Sequence, residues 1–231
     1  MRTLCLDIGG TGIKALILGQ GGEPASERLR VPTPKPATPA AVLDAIAGLV
    51  APLGVFERVA VGFPGVVIAG TIRSAPNLGP GWTGFDLAAA LAERLGQPVR
   101  VANDAGVQGL GVIEGSGTEV VLTLGTGMGF GLYVDGIYVP NIEMAHHPYN
   151  GELTYEQLVS DRALHEVGAA AWEERVQAVV AQLRPILNWR RLYLGGGNAR
   201  LLDAGRFAAD VALVDNAAGL MGGWKLWADR P

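Results

Sequence analysis

A strand, a Gly-rich turn and a second strand occur twice in this chain, as LDIGGTGIKALIL from Leu6 and as LTLGTGMGFGLYV from Leu122. The surroundings repeat as well. The first copy is followed by an extended ERLRV segment and a Pro-rich run. Then come Val42, Ile46, Leu49 and Leu53 at helical spacing and the strand ERVAVGF. The second copy is followed by Asp135-Gly136 before IYV, a hairpin signal. A stripe of Trp172, Val176, Val179 and Leu183 follows, stopped near Pro185, and then the strand RRLYL. The order strand-strand-strand-helix-strand thus runs twice. It predicts a two-lobed, duplicated α/β fold whose lobes face each other across a cleft. The lobes are expected at 1–108 and 109–215, with a C-terminal helix over 216–231, carrying Leu220, Trp224 and Trp227 on one face, packed on the first.

Between the copies, Leu87, Leu91 and Leu95 mark a helix stopped by Gly96 and Pro98. The strand PVRVA then delivers Asn103 and Asp104 at its end. Near the middle of the second lobe, Thr154 and Gln157 have the spacing of a helix capping box.

Composition narrows the function classes. Net charge is −4, with 18 basic against 22 acidic residues, so no overall basic field invites nucleic acid or an anionic membrane. No apolar run approaches the ~18 residues of a membrane span. Asp7 and a Gly cluster come too early for a secretory signal. The single cysteine, Cys5, excludes a disulfide framework within the chain and a multi-thiolate zinc site. The expectation is a cytoplasmic protein.

Both turns are suited to anions. Gly9, Gly10, Thr11 and Gly12, and likewise Gly125, Thr126 and Gly127, allow backbone N–H groups to approach a phosphate, with a Thr hydroxyl as a further donor. Neither turn has the spacing of a Walker A or Rossmann fingerprint. Each alone reads equally as a plain β-turn; their equivalent places in a repeated unit favour a shared phosphate grip. Asp7 beside the first turn suits a carboxylate near Mg²⁺, an ion that keeps several waters. Lys14 is left unassigned, since on a strand it can simply face solvent. Asp104, following Asn103 at a strand end, reads on its own as a helix N-cap.

The succession LDIGGTGIKA, GFPG, APNLGPGW, VANDA, TLGTGMG and LGGG resembles the ROK family of sugar kinases and repressors over essentially the whole chain. RLRVPTPKPATP and VPNIEMAH resemble, more particularly, the bacterial polyphosphate glucokinases within it. The resemblance implies an actin-like, hexokinase-like fold and transfer of a terminal phosphoryl group from ATP or polyphosphate to a hexose, glucose favoured. It implies Asp104 as general base and Mg²⁺, with Asp7 nearby through water. Sugar contacts are implied for Gly65, Asn77, Asn103, Asp104, Glu143, His146 and Glu156, and nucleotide contacts for Gly195, Gly196 and Gly197. The oligomeric state stays open, a homodimer included.

Three departures stand out. Ala145 occupies the place of a family Gly, the Cys-rich zinc loop is absent, and the winged helix of the repressors is not expected, since the first Gly-rich turn comes at Gly9. Mg²⁺ without structural zinc is therefore expected, with the Thr154 capping pair anchoring the segment that carries Glu156. For a polyanionic donor, Arg184, Arg190, Arg191 and Arg200 are candidates for a local basic track. The competing readings are an ATP-dependent kinase for fructose or an N-acetylhexosamine, a non-catalytic sugar sensor, and an actin-like ATPase or phosphatase. The sugar-type Asn, Glu and His positions make no sense in the last of these.

Overall fold

The protein is described by a computed structural model covering residues 1–76, 78–214 and 220–227. It comprises two compact units, one of residues 1–111 with 220–227 and one of residues 112–214.

In the first unit, β1 (Thr3–Ile8) and β2 (Gly12–Leu18) pair antiparallel, with Asp7 opposite Lys14 and Ile8 opposite Ile13. β3 (Leu29–Pro32) extends the sheet beyond β2. Thr38 caps α1 (Pro39–Val50) by accepting from Ala41 N, and Pro39 starts it, where a missing N–H costs nothing. Its stripe of Val42, Ile46 and Leu49 is buried, whereas Leu53 lies past its end in a turn. β4 (Arg58–Phe63) returns parallel to β1, and a small hairpin of β5 (Val67–Ile68) and β6 (Thr71–Ile72) follows. α2 (Leu87–Leu95) ends at Gly96, whose φ of 67° is the left-handed value that glycine adopts without strain. β7 (Val99–Asn103) then feeds α3 (Asp104–Leu110). The sheet order is β3-β2-β1-β4-β7.

This sheet is covered on both faces, which is why its strands read as unbroken apolar runs. One face presents Leu4, Leu6, Ile8, Ile13, Val59, Val61 and Phe63 to the core containing the buried residues of α1 and α2. The other presents Cys5, Leu16, Leu18 and Ala60 to a smaller cluster with Leu220.

The second unit repeats this plan with β8 (Thr118–Leu124), β9 (Met128–Val134) and β10 (Ile137–Val139). α4 (Tyr155–Val159), α5 (Asp161–Val167) and α6 (Ala169–Leu187) follow, then β11 (Arg191–Gly195) and β12 (Val211–Leu213). Its order, β10-β9-β8-β11-β12, matches the first sheet strand for strand. Asp135 (φ 50°) and Gly136 (φ 80°) make the two-residue turn that sets the β9–β10 register. The capping box forms as expected: Thr154 accepts from Gln157 N, and Gln157 accepts from Thr154 N.

Two elements differ from expectation. α6 passes through Pro185 and ends on Asn188, at φ 45°. Proline in the last turn removes one hydrogen bond, while the buried Trp172–Leu183 stripe contributes about 1.5–3 kcal/mol per large side chain. At the C-terminus, residues 223–227 form a short 3₁₀ helix, not an α-helix, and residues 215–219 and 228–231 of the expected segment lie outside the described residues. Gly222 and Gly223 disfavour α-helix. They are also pressed against the Val107 carbonyl and Cys5 Sγ, where a Cβ could not stand. No described helix is long and apolar enough to cross a membrane.

Candidate active site

In the first unit the Gly9–Gly12 turn closes by a bond from Gly9 N to Gly12 O of 3.0 Å. Thr33 fastens the following segment to it, donating through its hydroxyl to Gly9 O and through its N–H to Thr11 O. Gly10 and Thr11 are exposed at the tip. Asp7, buried just before the turn, is bonded through Oδ2 to Lys14 Nζ at 2.6 Å. Lys14 is therefore part of this cluster and does not simply face solvent. Registers 7↔14 across β1–β2 and 7↔62 across β1–β4 carry one row of same-facing residues along the sheet. Asp104 joins that row: a Cβ on Gly62 would stand 3.3 Å from Asp104 Cα. Since neighbouring strands lie about 4.8 Å apart, Asp7 and Asp104 occupy the same face one strand apart.

Asn103 caps α3, its Oδ1 accepting from Gly106 N at 3.3 Å while its Nδ2 donates to Gly65 O, also at 3.3 Å. The cap is thus Asn103, and Asp104 is the first helical residue, with Oδ1 accepting from Ala105 N at 2.8 Å. A carboxylate in the first turn is favoured by the helix dipole. Gly65 leaves no space for a Cβ, which would overlap the Ser74 carbonyl. Asn77 lies outside the described residues.

In the second unit, the turn at Gly125–Gly127 is closed by Gly125 N to Gly127 O at 3.0 Å. Two expected features converge on it. Glu156, in the first turn of α4, lays its carboxylate against Gly127 and accepts from Met128 N at 3.3 Å. Gly196, at φ 88°, packs on the Leu124 backbone so closely that no Cβ fits, and Asn198 N donates to Leu124 O at 3.0 Å. Asp161, not singled out from sequence, ties both sides, its N–H donating to Gly125 O and its Oδ1 accepting from Asn198 Nδ2 at 3.2 Å. The Ser-Asp pair opening α5 was the available signal.

Glu143 and His146 are exposed, with 3.9 Å between Oε2 and Nε2. The methyl of Ala145 is buried in the core, and residues 144–146 make a 3₁₀ turn. Arg184 and Arg190 are paired with Asp210 and Glu114, each at 2.6 Å, and Arg191 donates to Ala209 O. The expected basic track is thus largely satisfied internally. Among the described residues no group of three or more His, Cys, Asp or Glu side chains could hold a metal.

Two sheets of identical order, each opened by a Gly-rich hairpin, define the actin-like, hexokinase-like α/β fold, and the chain is a sugar phosphotransferase. It belongs to the ROK family, whose profile matches residues 3–139. The polyphosphate glucokinase of Mycobacterium tuberculosis (strain CDC 1551 / Oshkosh) is similar to it, at 32% identity over 94% of this chain and 88% of that protein. The N-acetylmannosamine kinase of Escherichia coli (strain SMS-3-5 / SECEC) is 36% identical over 59% of this chain and 48% of its own length. Among solved structures, the inorganic polyphosphate/ATP-glucomannokinase of Arthrobacter sp. strain KM superposes with a TM-score of 0.85, at 33% identity and 98% coverage of both chains.

Proposed function

We propose that this protein is a hexose kinase of the glucokinase type that takes its phosphoryl group from polyphosphate, ATP or both, with Asp104 as general base. The observation that carries this reading is the common face of the first sheet. It presents Asp104 one strand from Asp7 and from the Gly9–Gly12 turn. A sugar hydroxyl near Asp104 can lose its proton to that carboxylate as its oxygen attacks phosphorus in line. Asn103, already fixed by α3 and Gly65, can offer a donor and an acceptor from one planar group. The roles of Asn77, Glu143, His146 and Glu156 as sugar contacts belong to the same reading. So do those of Gly125–Gly127 and Gly195–Gly197 as phosphate and nucleotide contacts.

Mg²⁺ needs few protein carboxylates. Asp7, with one oxygen committed to Lys14, fits a contact through water, where the ion would draw charge from the phosphate oxygens. The polyphosphate donor is supported by the resemblance to the mycobacterial and Arthrobacter enzymes. The shorter match to an N-acetylmannosamine kinase favours, as second reading, an ATP-dependent kinase for an N-acetylhexosamine.

The test is a donor-by-sugar matrix with Mg²⁺, reading sugar phosphate by phosphorus NMR. Glucose, fructose and N-acetylmannosamine are each offered ATP or polyphosphate. Phosphorylation of glucose by either donor is the expected result. Transfer only to N-acetylmannosamine would establish the second reading, and sugar binding without any transfer would make the protein a sensor.

A further inference from the structure

β3 brings a second cation to the first Gly-rich turn. Arg30 stands opposite Lys14 and Lys14 opposite Asp7, so the three side chains form one row on one face of the sheet. Like charges directly across two strands are destabilising unless something offsets them. Asp7 offsets Lys14, at 2.6 Å. Arg30 forms no ion pair with any described residue, whereas Arg184 and Arg190 have Asp210 and Glu114. Its guanidinium, though exposed, lies over Gly12. A Cβ at Gly12 would stand 2.6 Å from Arg30 Nε and 2.8 Å from Nη2. The same strand is fastened to the turn by the two Thr33 bonds. The row therefore holds two cations and one anion, with the uncompensated charge beside exposed Gly10 and Thr11.

We propose that Arg30 is a phosphate-binding residue, its guanidinium donating to non-bridging oxygens of a donor phosphate held at the Gly9–Gly12 turn. The planar fork of donors matches two oxygens of one phosphate, and backbone N–H groups with the Thr11 hydroxyl would face the others. The ligand chemistry is a phosphoric anhydride chain, common to ATP and inorganic polyphosphate. The inference rests on reading this turn as a phosphate grip. It puts the charge contact in the first unit, away from the arginines that the sequence singled out.

Isothermal titration calorimetry with inorganic tripolyphosphate and, separately, with ATP, both in Mg²⁺, tests this. The proteins compared are the natural chain, Arg30→Gln, Arg30→Lys and Thr11→Val. Arg30 and Thr11 are exposed, so all variants should melt like the parent. Arg30→Gln should weaken tripolyphosphate about tenfold or more, the size of a lost charge-assisted hydrogen bond. Arg30→Lys should recover part of that loss, and the salt dependence of binding should be shallower in Arg30→Gln. A matching loss for ATP assigns the contact to phosphates that the two donors share. A loss confined to tripolyphosphate assigns it to the part of the chain that a nucleoside replaces. Unchanged affinities in Arg30→Gln, with a loss in Thr11→Val, would overturn the role of Arg30 and leave the turn standing. Failure of the natural chain to bind either ligand would overturn both.

Discussion

Lys14 Nζ lies 2.6 Å from Asp7 Oδ2, joining the two strands of the first Gly-rich hairpin just below its turn. The pair places a nearly buried carboxylate against a partly exposed ammonium beside the Gly9–Gly12 turn and uses the Lys14 charge locally.

Removing Lys14 should therefore hurt more than removing the pair. Breaking a buried ion pair costs about 3–5 kcal/mol, and with Lys14 one-third exposed a loss of about 1–2 kcal/mol is expected for Lys14→Met. The double variant Lys14→Met/Asp7→Asn should regain most of this in denaturant melts without regaining kinase activity. Additive losses in the double variant would show that the contact contributes no coupling.

Asp104→Asn should lower kcat by about 10²-fold or more, the range for loss of a general base. The glucose KM should stay within about threefold, since the fold and the Asn103 cap are retained. Turnover close to that of the natural chain in a variant with unchanged melting would remove Asp104 from the base role.

Gly196 and Gly197 are adjacent yet should respond oppositely to alanine. At Gly196 the backbone has φ 88° and a Cβ would overlap Leu124, while at Gly197 nothing lies within 4 Å. Gly196→Ala should cost about 2–4 kcal/mol, or roughly 5–15 °C in Tm, and Gly197→Ala should stay within about 0.5 kcal/mol. Equal effects would contradict the close packing of this turn on β8.

The buried Glu119 should make the protein sensitive to acid. Burial alone would raise its pKa, but the Tyr193 hydroxyl and the N–H groups of Glu114, Gly115 and Ser116 outweigh burial and hold it below the ordinary value. A depressed carboxylate stabilises the fold above its unfolded pKa of about 4.3, and that contribution is lost as pH falls through the lower folded value. Asp210, lowered chiefly by its hydrogen bond from Arg184, acts in the same direction. Chemical denaturation from pH 7 to 3 should show stability falling below about pH 4.3. Glu119→Gln should be less stable at pH 7 and have a flatter acid limb; identical pH profiles would refute this.

The sequence by itself determined the repeated sheet units, because strand and helix periodicity and turn chemistry are local. Asp135-Gly136, the Thr154–Gln157 box and the Trp172–Leu183 stripe all form as read. Local signals also placed Asn103 and Asp104 at a strand end and glycines in both turns. What only the tertiary structure decided is which side chains share a face and which charges are already spent. Lys14 reads alone as a solvent lysine, and only the 7↔14 register gives it Asp7. Arg184 and Arg190 read as a basic track until Asp210 and Glu114, 26 and 76 residues away, neutralise them. The C-terminal segment keeps its helical apolar spacing, yet residues 223–227 wind as 3₁₀ where Gly222 and Gly223 press on Val107 and Cys5. Pairing across distant strands depends on register and burial, and these are set by the packing of the whole sheet, not by any window of neighbouring residues.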